Sequence, residues 1–196
     1  TPDPINLLES NRSLGYSIEE AVSDLIDNSV AAGAKNISFN LEWNGGSPYF
    51  TLVDDGKGMS KDELVESFKL GSKNPKDLRD PNDLGRFGCG MKTASLSQSR
   101  AFSVITKQKG GEIEKRCLDL DYIASGDRGW KLRYVEDDET YGVENHIKDS
   151  GTGLVWGAWD RCPKKQFEFN KLSTLVRNYV SVCFHCSLGG WEVSPW

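Results

Sequence analysis

The chain of 196 residues carries 24 lysines and arginines against 29 aspartates and glutamates, a formal net charge of −5. That length makes one domain, or one and the start of a second, and buries a core without disulfide or metal staples. The short apolar runs exclude a transmembrane helix and the N-terminus lacks signal-peptide order; the acidic balance argues against a surface that coats nucleic acid throughout, while leaving room for a local basic patch. Five cysteines, odd in number and unevenly spaced, point to a reducing compartment. Cys183 and Cys186 form a C-x-x-C, but no second pair stands at zinc-ligand spacing. A start at Thr1 and an abrupt end at Trp196 read as a piece of a longer protein.

In chain order, Tyr16 to Ala34 has helical periodicity. Ile18, Val22, Leu25, Ile26 and Ser29 share one arc, while Glu20, Asp24, Asp27, Asn28 and Ala31 share the opposite one, and Gly33 ends the helix. Alternation follows: Ile37, Phe39, Leu41 and Trp43 lie on one face of a strand, Asn44 to Ser47 turn the chain, and a return strand runs from Tyr49 to Val53. The sequence Asp54-Asp55-Gly56-Lys57-Gly58-Met59 comes next, then a capping box of Ser60 and Glu63 that opens a short helix ending by Gly71. Residues 71–84 read as a polar loop, and Gly85-Arg86-Phe87-Gly88-Cys89-Gly90 leads into a helix from Met91 to Ser99. Strands are expected at Ala101–Lys107, Ile113–Tyr122, Trp130–Val135 and Gly153–Trp159, and a last helix at Lys171–Phe184. Mostly hairpin-linked strands with interspersed helices predict an α+β two-layer sandwich; strict β-α-β-α alternation is absent.

The chemistry is concentrated in three places: the acidic helix face, the Asp-Gly-x-Gly turn and the glycine-rich loop entering a helix. Closely spaced glycines let backbone N–H groups converge on an anion at a helix N-terminus. Gly85-x-x-Gly88-x-Gly90 is one residue out of register for a P-loop lysine, and its glycine order differs from a dinucleotide fingerprint. Together, Asp24-Leu25-Ile26-Asp27-Asn28-Ser29 with Ala32-Gly33-Ala34, Asp54 to Met59, Gly85 to Lys92, and Gly151-Thr152-Gly153 resemble the N, G1, G2 and G3 boxes of the GHKL ATPases. That superfamily comprises gyrase, heat-shock chaperones, histidine kinases and MutL. Order and spacing agree from about residue 16 to 159, and the motifs look most like the MORC and MutL branches and their bacterial relatives.

The resemblance implies a Bergerat-type domain over residues 1–160, with a mixed, mostly antiparallel sheet, helices on one face and an ATP lid. Residues 161–196 would be a helix and tail beginning a following domain. It implies that Asn28 coordinates Mg²⁺, that Asp54 accepts a hydrogen bond from the adenine amino group, and that Gly56 and Gly58 bring the backbone close to the base, with Met59 packed on it. Thr152 would join the Asp54–adenine network through its hydroxyl or a water. Gly85, Arg86, Phe87, Gly88, Gly90, Met91 and Lys92 would line the triphosphate, with Lys73 near it and 71–90 as the lid. Asp24 stands where the family's general base is a glutamate, four residues before the metal-binding asparagine, so its reach is shorter by one methylene, about 1.5 Å. Glu20 lies one turn earlier on the same face, and Ala31 replaces an aspartate common in MutL-like sequences.

The function these resemblances imply is slow, Mg²⁺-dependent hydrolysis of ATP by Asp24, coupled to lid closure and homodimerisation inside a larger, DNA-acting protein of the cytoplasm or nucleus. The alternatives are a non-hydrolysing, ATP-gated interaction module and a scaffold that has lost nucleotide. Between Lys69 and Lys92, six basic side chains face three aspartates, a local patch that would serve the triphosphate or DNA.

Overall fold

The computed structural model describes residues 4–13, 15–69, 90–125, 131–185 and 192–195. Helices α1 (Pro4–Arg12), α2 (Ile18–Ala31), α3 (Lys61–Ser67), α4 (Gly90–Gln98), α5 (Leu120–Ser125) and α6 (Gln166–His185) accompany six strands. These are β1 (Asn36–Glu42), β2 (Tyr49–Asp54), β3 (Ala101–Lys107), β4 (Glu114–Asp119), β5 (Gly151–Trp156) and β6 (Glu192–Pro195). They form one sheet in the order β4-β3-β5-β2-β1-β6. Every pairing is antiparallel except β1 with β6, which is parallel.

The two-residue alternation of each strand decides which side chains meet the helices. Ile37, Phe39 and Leu41 of β1, Phe50 and Leu52 of β2, Phe102 and Val104 of β3, and Leu154 and Trp156 of β5 share the main core with Val22, Leu25 and Ile26 of α2. Their sheet neighbours Val53, Ile105 and Val155 face the other way and form a second, smaller cluster with Val143 and Ile147. The 3₁₀ turns at Asp137–Thr140 and Val143–His146 supply that second cover, which the sequence reading left unassigned.

The capping boxes of α2 (Ser17 with Glu20) and α3 (Ser60 with Glu63) are both formed. Two expected elements change, and three others are new. Helix α1, strand β6 and helix α5 were not anticipated. The strand expected over Ile113–Tyr122 stops at Asp119, because the Asp119 carboxylate accepts from the amides of Asp121 (2.9 Å) and Tyr122 (3.0 Å) and so starts α5. In place of a strand at Trp130–Val135 there is a single bridge between Cys117 and Arg133; the Arg133 guanidinium is fastened to Glu139 (2.7 and 2.8 Å), which turns the chain into the 3₁₀ segment. After residue 160, Phe169, Val176 and Val180 of α6 lie in the main core and β6 pairs with β1. Among the described residues no helix is long and apolar enough to cross a membrane.

Candidate nucleotide site

Asp54 is the last residue of β2 and lies opposite Thr152 of β5 in the antiparallel register. Its side chain is 5% exposed. Its Oδ1 accepts from the amides of Gly56 (2.9 Å) and Thr152 (3.2 Å), and its Oδ2 accepts from the Ser29 hydroxyl on α2 (2.8 Å). Burial pushes this carboxyl up to about 6, against the three hydrogen bonds, which favour the charged form. A carboxylate offers about four acceptor positions. Three are filled, so Oδ2 keeps one for a further N–H donor.

The neighbouring Asp55 does different work. It accepts from the amides of Lys35 (2.6 Å) and Asn36 (2.8 Å) and from Asn36 Nδ2 (2.6 Å), and fastens the turn after α2 to the end of β2. Partial burial raises its pKa, but the bonds from Asn36 and Lys35 outweigh this and hold it below the usual carboxylate range.

The loop after Asp54 is held by backbone packing. Gly58 has φ +67°, and a Cβ there would collide with the Lys107 carbonyl at the end of β3. Met59 donates its amide to Thr106 Oγ1 (2.9 Å), and its side chain packs against the main core. Thr106, fully buried, also donates to the Gly151 carbonyl (3.0 Å) and meets the Thr152 hydroxyl at 3.1 Å. The Thr152 hydroxyl is thus engaged with Thr106, and its amide, where the sequence pointed to the hydroxyl or a water, reaches Asp54.

The arc of α2 opposite Ser29 carries Asp24, Asp27 and Asn28. The Asn28 amide Nδ2 is buried without a hydrogen-bond partner among the described residues. A Cβ on Gly90, the first residue of α4, would stand 3.8 Å from that nitrogen and 3.9 Å from Asn28 Oδ1. The amide therefore faces the amino end of α4, where the helix dipole favours an anion. Asp24 Oδ2 accepts from the Tyr16 hydroxyl at 2.6 Å. Asp27 is raised by partial burial and then by the charge of Asp24.

Asp54, Gly56, Gly58, Met59 and Thr152 are therefore joined in one hydrogen-bonded and packed unit, and Asn28 meets Gly90. Met91 is half-buried against the main core. Lys92 is 1% exposed and its Nζ donates to the Ser67 carbonyl (2.6 Å), closing the last turn of α3. Lys73, Gly85, Arg86, Phe87 and Gly88 lie outside the described residues. Sequence reasoning passed over Thr106 and Tyr16 and counted Ser29 among the core positions. Ser29 left a readable signal, since a hydroxyl on an apolar helix arc needs a buried partner.

The Asn28 side chain would offer Oδ1 to a magnesium ion, which takes few protein ligands, while its unpartnered Nδ2, a donor, suits a phosphate oxygen. Among the described residues no cluster of three or more acidic, histidine or cysteine side chains forms an all-protein metal site.

Comparison with known proteins agrees with this geometry. Residues 16–154 match the model of the histidine kinase-, DNA gyrase B- and HSP90-like ATPases. The chain is 33% identical over 132 residues to the DNA mismatch repair protein MutL of Clostridium acetobutylicum, covering 61% of this chain and 21% of that protein. It is 26% identical over 106 residues to ATPase morc-1 of Caenorhabditis elegans, covering 54% and 12%. Against chaperone protein HtpG of Magnetococcus marinus it is 26% identical over 122 residues, covering 57% and 18%. The matched region spans about a fifth or less of these relatives. With a family model matched over residues 16–154, an α+β fold and a carboxylate–glycine–threonine cluster between two strand ends, the chain belongs to the histidine kinase-, DNA gyrase B- and HSP90-like (GHKL) ATPase family.

Proposed function

We propose that this domain binds Mg-ATP between the Asp54 cluster and the Asn28–Gly90 contact, and hydrolyses it slowly to ADP and phosphate. The observation that carries this is the pairing of a buried carboxylate with one acceptor position left and a buried amide nitrogen, Asn28 Nδ2, with no hydrogen-bond partner among the described residues. Oδ2 of Asp54 accepts the adenine amino group, and the guanine carbonyl at the same place is repelled. Asn28 would hold Mg²⁺ through Oδ1, and the ion would supply positive charge against the charge developing on the phosphates. The amino end of α4, from Gly90 and Met91, meets the phosphates. Asp24, with Oδ2 committed to Tyr16, turns Oδ1 to a water. That water's oxygen bonds to the γ-phosphorus, the β–γ bridging bond breaks with its electron pair leaving on ADP, and the water's proton passes to Asp24.

The reading extends to ATP-dependent homodimerisation, and to DNA as a partner through other domains or the basic stretch 69–92; a MutL relative named for DNA mismatch repair supports the latter. The shorter reach of Asp24 favours a second reading, an ATP-gated dimerisation module that does not turn over. A steady-state phosphate-release assay separates the two. Mg-dependent release abolished by Asp24→Ala supports hydrolysis. Equal release from both proteins removes Asp24 as the base. If a non-hydrolysable ATP analogue raises the sedimentation coefficient while no phosphate is released, the module reading stands.

A further inference from the structure

Asp24 is one methylene short for the role it would fill, so what fixes its carboxylate matters. The Tyr16 hydroxyl lies 2.6 Å from Asp24 Oδ2. Tyr16 precedes the N-cap Ser17, two helical turns before Asp24, and reaches along the polar face of α2. Three contacts hold it there. Its carbonyl accepts from Gln98 Nε2 (3.2 Å), which also donates to Ser97 Oγ (3.1 Å). The Ser17–Glu20 capping box fixes the next residue. The ring is half-buried against the main core. Gln98 ends α4, the helix whose other end faces Asn28, so the carboxylate and the phosphate-facing helix share one frame.

A cleft of about 470 Å³ opens beside this pair, lined by Gly15, Tyr16, Glu20, Ser23, Asp24 and Tyr179. Solvent reaches the acid from that side. A two-bond carboxyl in open water samples several χ1 and χ2 settings; a hydroxyl on one oxygen leaves one setting and aims the other oxygen.

We infer that Tyr16 is a positioning residue for Asp24: its hydroxyl locks Oδ2 so that Oδ1 alone orients the attacking water. The assignment rests on the hydrolytic role of Asp24 proposed above. The Tyr16 phenol is itself raised to about 12, first by the hydrogen bond to Asp24 and then by burial, so it stays a donor throughout the working range.

The test is a double-mutant cycle with Tyr16→Phe and Asp24→Asn, measuring kcat and KM for ATP, affinity for a non-hydrolysable analogue, and the melting temperature. Positioning predicts that Tyr16→Phe lowers kcat about 10- to 100-fold with analogue affinity unchanged, because a misplacement near 1 Å costs on the order of 100-fold. In the Asp24→Asn background the same change has no further effect on kcat. A readout independent of turnover is the ¹³Cζ titration of Tyr16, identified by its loss in Tyr16→Phe: the phenol ionises at lower pH in Asp24→Asn than in the wild type. Wild-type kcat in Tyr16→Phe, or equal losses of kcat in both backgrounds, overturns the positioning role and leaves Asp24 as the base. Phosphate release undiminished by Asp24→Asn, or absent from the wild type, overturns both. Should Tyr16→Phe lower the melting temperature by itself, the background dependence of kcat still decides.

Discussion

At the scale of single residues, Asp54 carries the clearest electrostatic signature. Its folded pKa of about 6 stands above the ordinary 3.8. Between those values the unfolded chain is ionised while the native one holds a proton, so this group's contribution to stability is present below about pH 4 and is lost as pH rises through 6. At about 1.36 kcal/mol per tenfold change in proton affinity, the loss approaches about 3 kcal/mol. Asp54→Asn removes the titration. Urea unfolding of both proteins at about pH 4 and pH 7 should show the wild type losing up to that amount relative to the variant. Nucleotide affinity runs the other way, because only the carboxylate accepts the adenine amine without a competing proton. Mg-ATP affinity of the wild type should fall about tenfold per pH unit below 6.

At the scale of elements, the loop from Asp55 to Met59 is clamped between α2 and β3. Gly56 approaches Ala32 so closely that a Cβ would stand 3.0 Å from its Cβ and carbonyl oxygen, and the Lys57 amide donates to the Ala32 carbonyl (3.1 Å). Gly58→Ala should cost at least about 2 kcal/mol, from the left-handed backbone and the fixed Lys107 carbonyl, measured by denaturant midpoint. Thr106→Val removes the acceptor of the Met59 amide and the donor to Gly151, and should cost about 2–3 kcal/mol with weaker nucleotide binding. The joining of Asp54–Met59 to Gly151–Gly153 was legible because closely spaced glycines and carboxylates serve one backbone cradle. Thr106 was not, since a threonine suits any strand and only the Thr106–Thr152 pairing shows its partners. The Ser67 acceptor of Lys92 was hidden for a related reason: spacing puts a lysine near a helix start, but that carbonyl comes from an element folded in from elsewhere. Helix α5 hid because its cap, Asp119, closes an apparently continuous alternating run.

At the scale of the whole molecule, α6 packs into the main core and β6 pairs with β1. The amphipathic face of α6 was readable, but the surface that covers it was not, because nothing in a helix's periodicity names its partner. Phe169 stands 5.5 Å from Trp43 and 6.1 Å from Trp159, ring centre to centre. Phe169→Ala should cost about 3–5 kcal/mol. Its unfolding should remain a single transition that includes the sheet, followed by circular dichroism and tryptophan fluorescence together. Because Asp54 at the end of β2, Thr152 of β5 and Ser29 of α2 meet across this same core, such losses should weaken nucleotide binding as well. The most direct test of the site is calorimetric titration of the protein with Mg-ATP and with Mg-GTP, alongside Asp54→Asn. Binding of Mg-ATP at least about tenfold tighter than Mg-GTP, with the preference lost in the variant, is the result predicted. No binding of Mg-ATP, or equal affinity for the two nucleotides in the wild type, would contradict it.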